Sequence, residues 1–150
     1  MKMATEVRGA TVLAILNSDR DSEALRNILP QDVLLQTGKT LADVRRLLDD
    51  RRADVVLADS NLGDNFDWRD VLRAIESSSS QLPLIVTSGI ADEALWAEVL
   101  NVGGFDVLAL PFEPREVARV TDCAYRERLR HSPLHRGHGI ERMAETAVAG

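Results

Sequence analysis

Five short apolar runs are spaced along this chain, and each is followed by a segment whose apolar residues recur at helical spacing. The runs are Thr11 to Leu16, Asp32 to Gln36, Val55 to Ala58, Pro83 to Val86 and Phe105 to Leu110. Most are apolar throughout rather than alternating, which fits strands buried on both faces. Five such strands alternating with helices predict an α/β domain with a parallel sheet covered on both sides. Right-handed crossovers and a reversal of strand order near the first strand then bring several strand ends to one edge.

The punctuation agrees with this order. Asn17-Ser18-Asp19 stops the first strand, and Asp19 or Asp21 can cap a helix whose apolar face is Ala24, Leu25, Ile28 and Leu29; Pro30 ends it. Thr37-Gly38-Lys39-Thr40 has the look of a phosphate-binding loop, but the glycine needed five positions before Gly38 is Val33. Thr40 therefore reads as the N-cap of a second helix, with Val44, Leu47 and Leu48 turned inward and the charged run Asp49 to Arg52 closing it. Gly63, Asp64 and Asn65 form a loop, and a third helix runs from about Trp68 to Ser77 into four consecutive serines. The fourth helix, Asp92 to Asn101, carries a core stripe of Leu95, Val99 and Val102 before Gly103-Gly104 breaks it. Pro111-Phe112-Glu113-Pro114 turns into a last helix, Arg115 to about Arg130.

Composition narrows the function classes. A net charge of −6 argues against a nucleic-acid partner, and no apolar run approaches the roughly 18 residues of a membrane span. The single cysteine, Cys123, excludes an internal disulfide and reads as a helix residue. The N-terminus lacks the apolar core of a signal peptide, so the expected location is cytoplasmic.

The sharpest local signal is Asp59. A buried strand, Val55 to Ala58, ends abruptly in this carboxylate, at the strand end where open α/β sheets hold their ligands. The same edge collects Asn17-Ser18-Asp19, Thr87-Ser88 and Leu110-Pro111.

The acid in ADVVLADSNL, the hydroxyl in PLIVTSG and the closing GGFDVLALPF together resemble the receiver domain of bacterial response regulators, over about residues 10 to 130. The resemblance implies a flavodoxin-like (βα)5 fold, doubly wound, with strand order 2-1-3-4-5. It implies that Asp59 is a phospho-acceptor served by a histidine kinase, that Ser88 is a switch hydroxyl, and that Asn61 lends a backbone carbonyl to Mg²⁺; the metal ligands this sequence keeps are Asp59 and Asn61, with Asp19 within reach through water. Three positions depart from the family. Its acidic pair reads Asn17 and Ser18, its lysine before the Pro-Phe turn is Leu110, and its aromatic on the fifth strand is Val107, with Phe105 two residues earlier. Phosphoryl transfer to a carboxylate gathers anions, and catalysis is largely the neutralising of that charge. Two like charges about 4 Å apart repel by roughly 4 kcal/mol at an effective dielectric of 20. A site without the lysine and the acidic pair is expected to phosphorylate weakly or not at all, with Mg²⁺ weakly held.

The expected architecture is an arm at 1–9, a receiver-like domain at 10–131, and a tail at 132–150 that is disordered or a short helix. The residues after Arg130 are too few for a DNA-binding fold. The expectation is a stand-alone, non-enzymatic signalling module of two-component type that acts through protein partners. The alternative is a conventional phospho-accepting regulator at Asp59. A small α/β enzyme or nucleotide binder finds less support: no Gly-x-Gly-x-x-Gly or Gly-x-Ser-x-Gly occurs, and His131, His135 and His138 read as a solvated tail. Trp96 and Leu100 form a second apolar stripe on the fourth helix. They fit either broad burial or a homodimer face of fourth helix, fifth strand and fifth helix.

Overall fold

The computed structural model describes residues 9–50, 53–63, 66–78 and 81–131. The expected arm apart from Gly9, the tail at 132–150 with His135 and His138, and residues 51–52, 64–65 and 79–80 lie outside the described residues.

In chain order the elements are β1 (Thr11–Ile15), α1 (Asp19–Ile28), β2 (Leu34–Thr37), α2 (Leu41–Asp49), β3 (Val55–Asp59), α3 (Trp68–Ser77), β4 (Leu84–Ser88), α4 (Glu93–Val102), β5 (Asp106–Ala109) and α5 (Pro114–His131). The strands are all parallel, in the order β2-β1-β3-β4-β5, as expected. Continuous apolarity has its cause in the two faces. Leu13, Ile15, Val56, Ala58, Leu84 and Val86 join the cluster under α2, α3 and α4. The alternate residues Val12, Ala14, Val55, Leu57 and Ile85 join the cluster under α1 and α5.

Local chemistry moves several boundaries. Asp32 and Val33 precede β2 rather than opening it, because the Val33 amide donates to Pro30 O in a turn (3.0 Å). Ser18, not Asp19 or Asp21, caps α1, its hydroxyl accepting from the Arg20 amide at 3.1 Å. Thr40 caps α2 as expected, and Asp43 completes a reciprocal capping box. The Lys39 and Thr40 amides hold the Asp43 carboxyl below the ordinary carboxylate range.

α4 differs most from expectation. Val99 is fully buried and Leu95 packs against the core, but Val102 is 46% exposed. α4 rests on β5, the four-residue strand at the edge of the sheet. Gly103, at φ 113°, closes the helix in the left-handed region. Gly104 then passes so close to the helix that an added Cβ would lie 2.4 Å from Val99 Cγ1. These two glycines set the approach of β5 to α4.

Candidate functional site

β3 runs through the middle of the sheet and delivers Asp59 to its C-terminal edge, between the ends of β1 and β4. The carboxylate is only 6% exposed. Its Oδ2 accepts the Asn17 backbone N–H at 2.8 Å, just after β1. Its Oδ1 accepts the Thr87 hydroxyl from β4. Burial pushes the Asp59 carboxyl above its ordinary range; the Asn17 and Thr87 hydrogen bonds oppose that, Asp21 adds to it, and Lys39 offsets it slightly.

The hydroxyl bonded to Asp59 is therefore Thr87's, next in sequence to Ser88, the position of the switch hydroxyl that the resemblance implies. Thr87 and Asp59 are register partners in adjacent parallel strands, so their side chains leave the sheet on the same face. Ser88 leaves on the other, and its Oγ accepts the Ile90 amide at 3.0 Å.

The loop after β3 is tied in turn to the loop after β1. Asn17 Nδ2 donates to the Asn61 carbonyl. Asn61 Oδ1 accepts the Gly63 amide at 3.2 Å, and Asn61 bridges to Asp67 at the start of α3. Ser18 is occupied as the α1 cap, and Asp19 is held in an ion pair with Lys39 (2.9 Å). Lys39 reaches in from the loop after β2, and its Nζ also donates to Leu16 O at 3.3 Å. Neither Thr87 nor Lys39 was anticipated in this role. Placing Thr87 needs the β3–β4 register. For Lys39 there was a signal: β2 lies next to β1, so the turn at Gly38-Lys39 belongs to the same edge.

Among the described residues, no hydrogen bond or ion pair links a charged group on the β5 side to Asp59. Leu110 is half-buried and donates its amide to Ser88 O at 2.9 Å, ahead of a cis bond to Pro111. Val107 packs into the cluster beneath α4, whereas Phe105 packs into the opposite one, so Phe105 does not stand in for an aromatic at 107.

The donor set does not fit Mg²⁺. That ion takes oxygen lone pairs in near-octahedral geometry. Here the Asn61 carbonyl accepts from the Asn17 amide, Asn17 turns two N–H donors and no carboxylate toward Asn61 and Asp59, and the Asp19 carboxylate is paired with an ammonium. No group of three or more His, Cys, Asp or Glu is placed to hold a metal among the described residues.

Away from Asp59, Trp96 is 50% exposed and Leu100 37% exposed, so α4 leaves this stripe outside the core. Trp96 borders an open groove of about 430 Å³ with Val107, Ala109 and Glu116. Among the described residues, no helix is long and apolar enough to cross a membrane.

No protein-family model matches the chain. It is 30% identical over 114 residues to regulatory protein VirG of Rhizobium rhizogenes, covering 72% of this chain and 46% of VirG. To VirG of Agrobacterium fabrum (strain C58) it is 31% identical over 121 residues, covering 76% and 47%. The chain thus spans about half the length of these curated relatives. Its fold matches the signal receiver domain of an HD domain-containing protein from Pseudomonas fluorescens Pf-5, with a TM-score of 0.69, 22% identity, and 81% and 98% of the two chains covered.

Proposed function

This chain is a response-regulator receiver domain, and from that premise we propose that it is a protein-interaction module of two-component signalling with a degenerate phosphorylation site. The observation behind the reading is the Asn17 side-chain amide seated on the Asn61 carbonyl, beside an Asp59 carboxylate already bonded to Asn17 N–H and Thr87. An incoming phosphoryl group would meet a buried anion, with an apolar Leu110 at the end of β5 where a neutralising charge would help. Positioning and charge neutralisation are most of what catalyses this transfer, so a site short of cations is slow. The chain acts by binding rather than by turnover, and a cytoplasmic location goes with this reading.

Incubation with acetyl phosphate and Mg²⁺, followed by intact-mass measurement, tests it. The expected result is an unmodified chain. A stoichiometric phosphoryl adduct that disappears in Asp59→Asn would overturn the degeneracy and make the domain a conventional phospho-accepting regulator.

The partner is a histidine kinase or another signalling protein, and the surface is the face of α4, β5 and α5. Trp96 and Leu100 are large apolar side chains left in water there, a common mark of a contact surface. A second copy of the chain is one occupant this face suits. If so, the wild-type chain sediments as a concentration-dependent dimer and Trp96→Glu as a monomer. Monomers in both proteins end the homodimer, leaving the face to a different protein.

A further inference from the structure

We infer that the cation position beside Asp59 is filled by the chain itself, with the Asn17 side-chain amide and the Lys39 ammonium standing where a divalent ion would need oxygen ligands. The inference rests on the receiver reading but concerns metal, not phosphate.

Two bonds carry it. Asn17 Nδ2 donates to the Asn61 carbonyl, joining the loop after β1 to the loop after β3. Lys39 Nζ donates to Leu16 O at 3.3 Å and to Asp19 Oδ1 at 2.9 Å, joining the loop after β2 to the loop after β1. Each bond occupies a lone pair of an oxygen in these loops, and each does so with an N–H donor, an atom that cannot itself ligate a metal. A divalent ion entering here would have to displace an amide and an ammonium together. The ammonium would then be left beside a doubly charged cation, the more repulsive the nearer it stays.

The donors also do for the protein part of what an ion would do. The Asn17 backbone N–H and the Thr87 hydroxyl satisfy the two Asp59 oxygens directly. Lys39 supplies a positive field over the buried carboxylate, opposing that of Asp21. Lys39 is half exposed and Asp19 nearly fully so, which makes the ammonium an adjustable strap rather than a buried ion pair. Asn17 is the restraint nearer the carboxylate, because its own backbone N–H is bonded to Asp59 Oδ2. Exchanging Asn17 for Asp turns that donor into a carboxylate. Removing Lys39 then frees Asp19 and the Leu16 carbonyl. Carboxylates at 17 and 59 and the Asn61 carbonyl would converge on one point, as an oxygen-ligand site requires.

The probe is Mn²⁺, titrated into ¹⁵N-labelled protein with no phosphodonor present, with amide broadening read at Asn17, Ser60 and Asn61. In the wild type these signals are expected to stay sharp at Mn²⁺ concentrations that erase them in Asn17→Asp/Lys39→Ala, a gain in affinity of at least ten-fold in the double variant. Broadening of the same amides at equal Mn²⁺ in wild type and double variant would overturn the inference. So would binding by the wild type alone, a measurement that needs no variant to fold. Because no phosphoryl group is involved, this failure is separable from the failure of the signalling reading, which is seen only as a mass adduct.

Discussion

Trp68→Ala is expected to lower the free energy of unfolding by about 3–5 kcal/mol, the usual range for deleting a large buried aromatic. Trp68 is 1% exposed and heads the fully buried side chains of the core. It opens α3 directly after the Asp67 N-cap, and its ring lies 4.9 Å from the Arg69 guanidinium carbon. The residue before it, Asp67, is bridged to Asn61, so the same anchor holds the loop that leaves Asp59. The void left by alanine would lie beneath that loop. Against a total stability of about 5–15 kcal/mol for an ordinary domain, such a loss leaves little reserve. Urea unfolding followed by far-UV circular dichroism measures it, with Trp68→Phe expected to fall between the two. Fluorescence gives a second readout. Of the two tryptophans, Trp96 is half exposed, so the emission that remains in Trp68→Phe should be that of a water-facing indole. A loss below about 1 kcal/mol in Trp68→Ala would mean that the indole is not packed as the structure has it.

Apolar patterning made the sheet legible, because a doubly buried parallel strand leaves a run that no solvated element resembles. It also located Asp59, since only one such run ends in an acid at the middle of the sheet. Patterning carries no register, however. Whether Thr87 or Ser88 faces Asp59 depends on which residues pair between β3 and β4, and a one-residue slip exchanges the two faces. Lys39 was hidden differently. Its neighbours Gly38 and Thr40 invited comparison with a phosphate loop, and the turn after the edge strand was not counted among the converging ends. The helix cap was misjudged because Ser18, Asp19 and Asp21 are all good capping residues, and only the entry angle of the chain selects among them. Val102 has the right spacing to be buried, but the short edge strand leaves it uncovered. Spacing describes a helix face; how far that face is covered depends on the neighbour.

Asp59→Asn is expected to stabilise the domain at neutral pH by about 1–3 kcal/mol, the scale of a buried polar group relieved of its desolvation penalty. The substitution keeps the geometry. An asparagine oxygen can accept the Asn17 N–H, and its amide can donate to Thr87 Oγ1, whose hydroxyl then turns to accept. What is removed is a negative charge held 6% exposed, weakly offset by Lys39 and opposed by Asp21. The sign with pH follows from burial. Folding raises the Asp59 carboxyl above its ordinary 3.8, so the folded chain binds more protons than the unfolded chain from that value upward. The wild type therefore loses stability as pH rises through the folded pKa. Well below pH 3.8 the carboxyl is neutral in both states, and aspartic acid and asparagine should be nearly equivalent. The gap between the two proteins should thus open as pH rises from there through the folded pKa and remain open above it, as a rise of a few degrees in melting temperature. The opposite result, an asparagine variant less stable at neutral pH, would show that the carboxylate is held by more positive charge than Lys39 and two hydrogen bonds supply. In that case the reading of a crevice short of cations would fail at its centre.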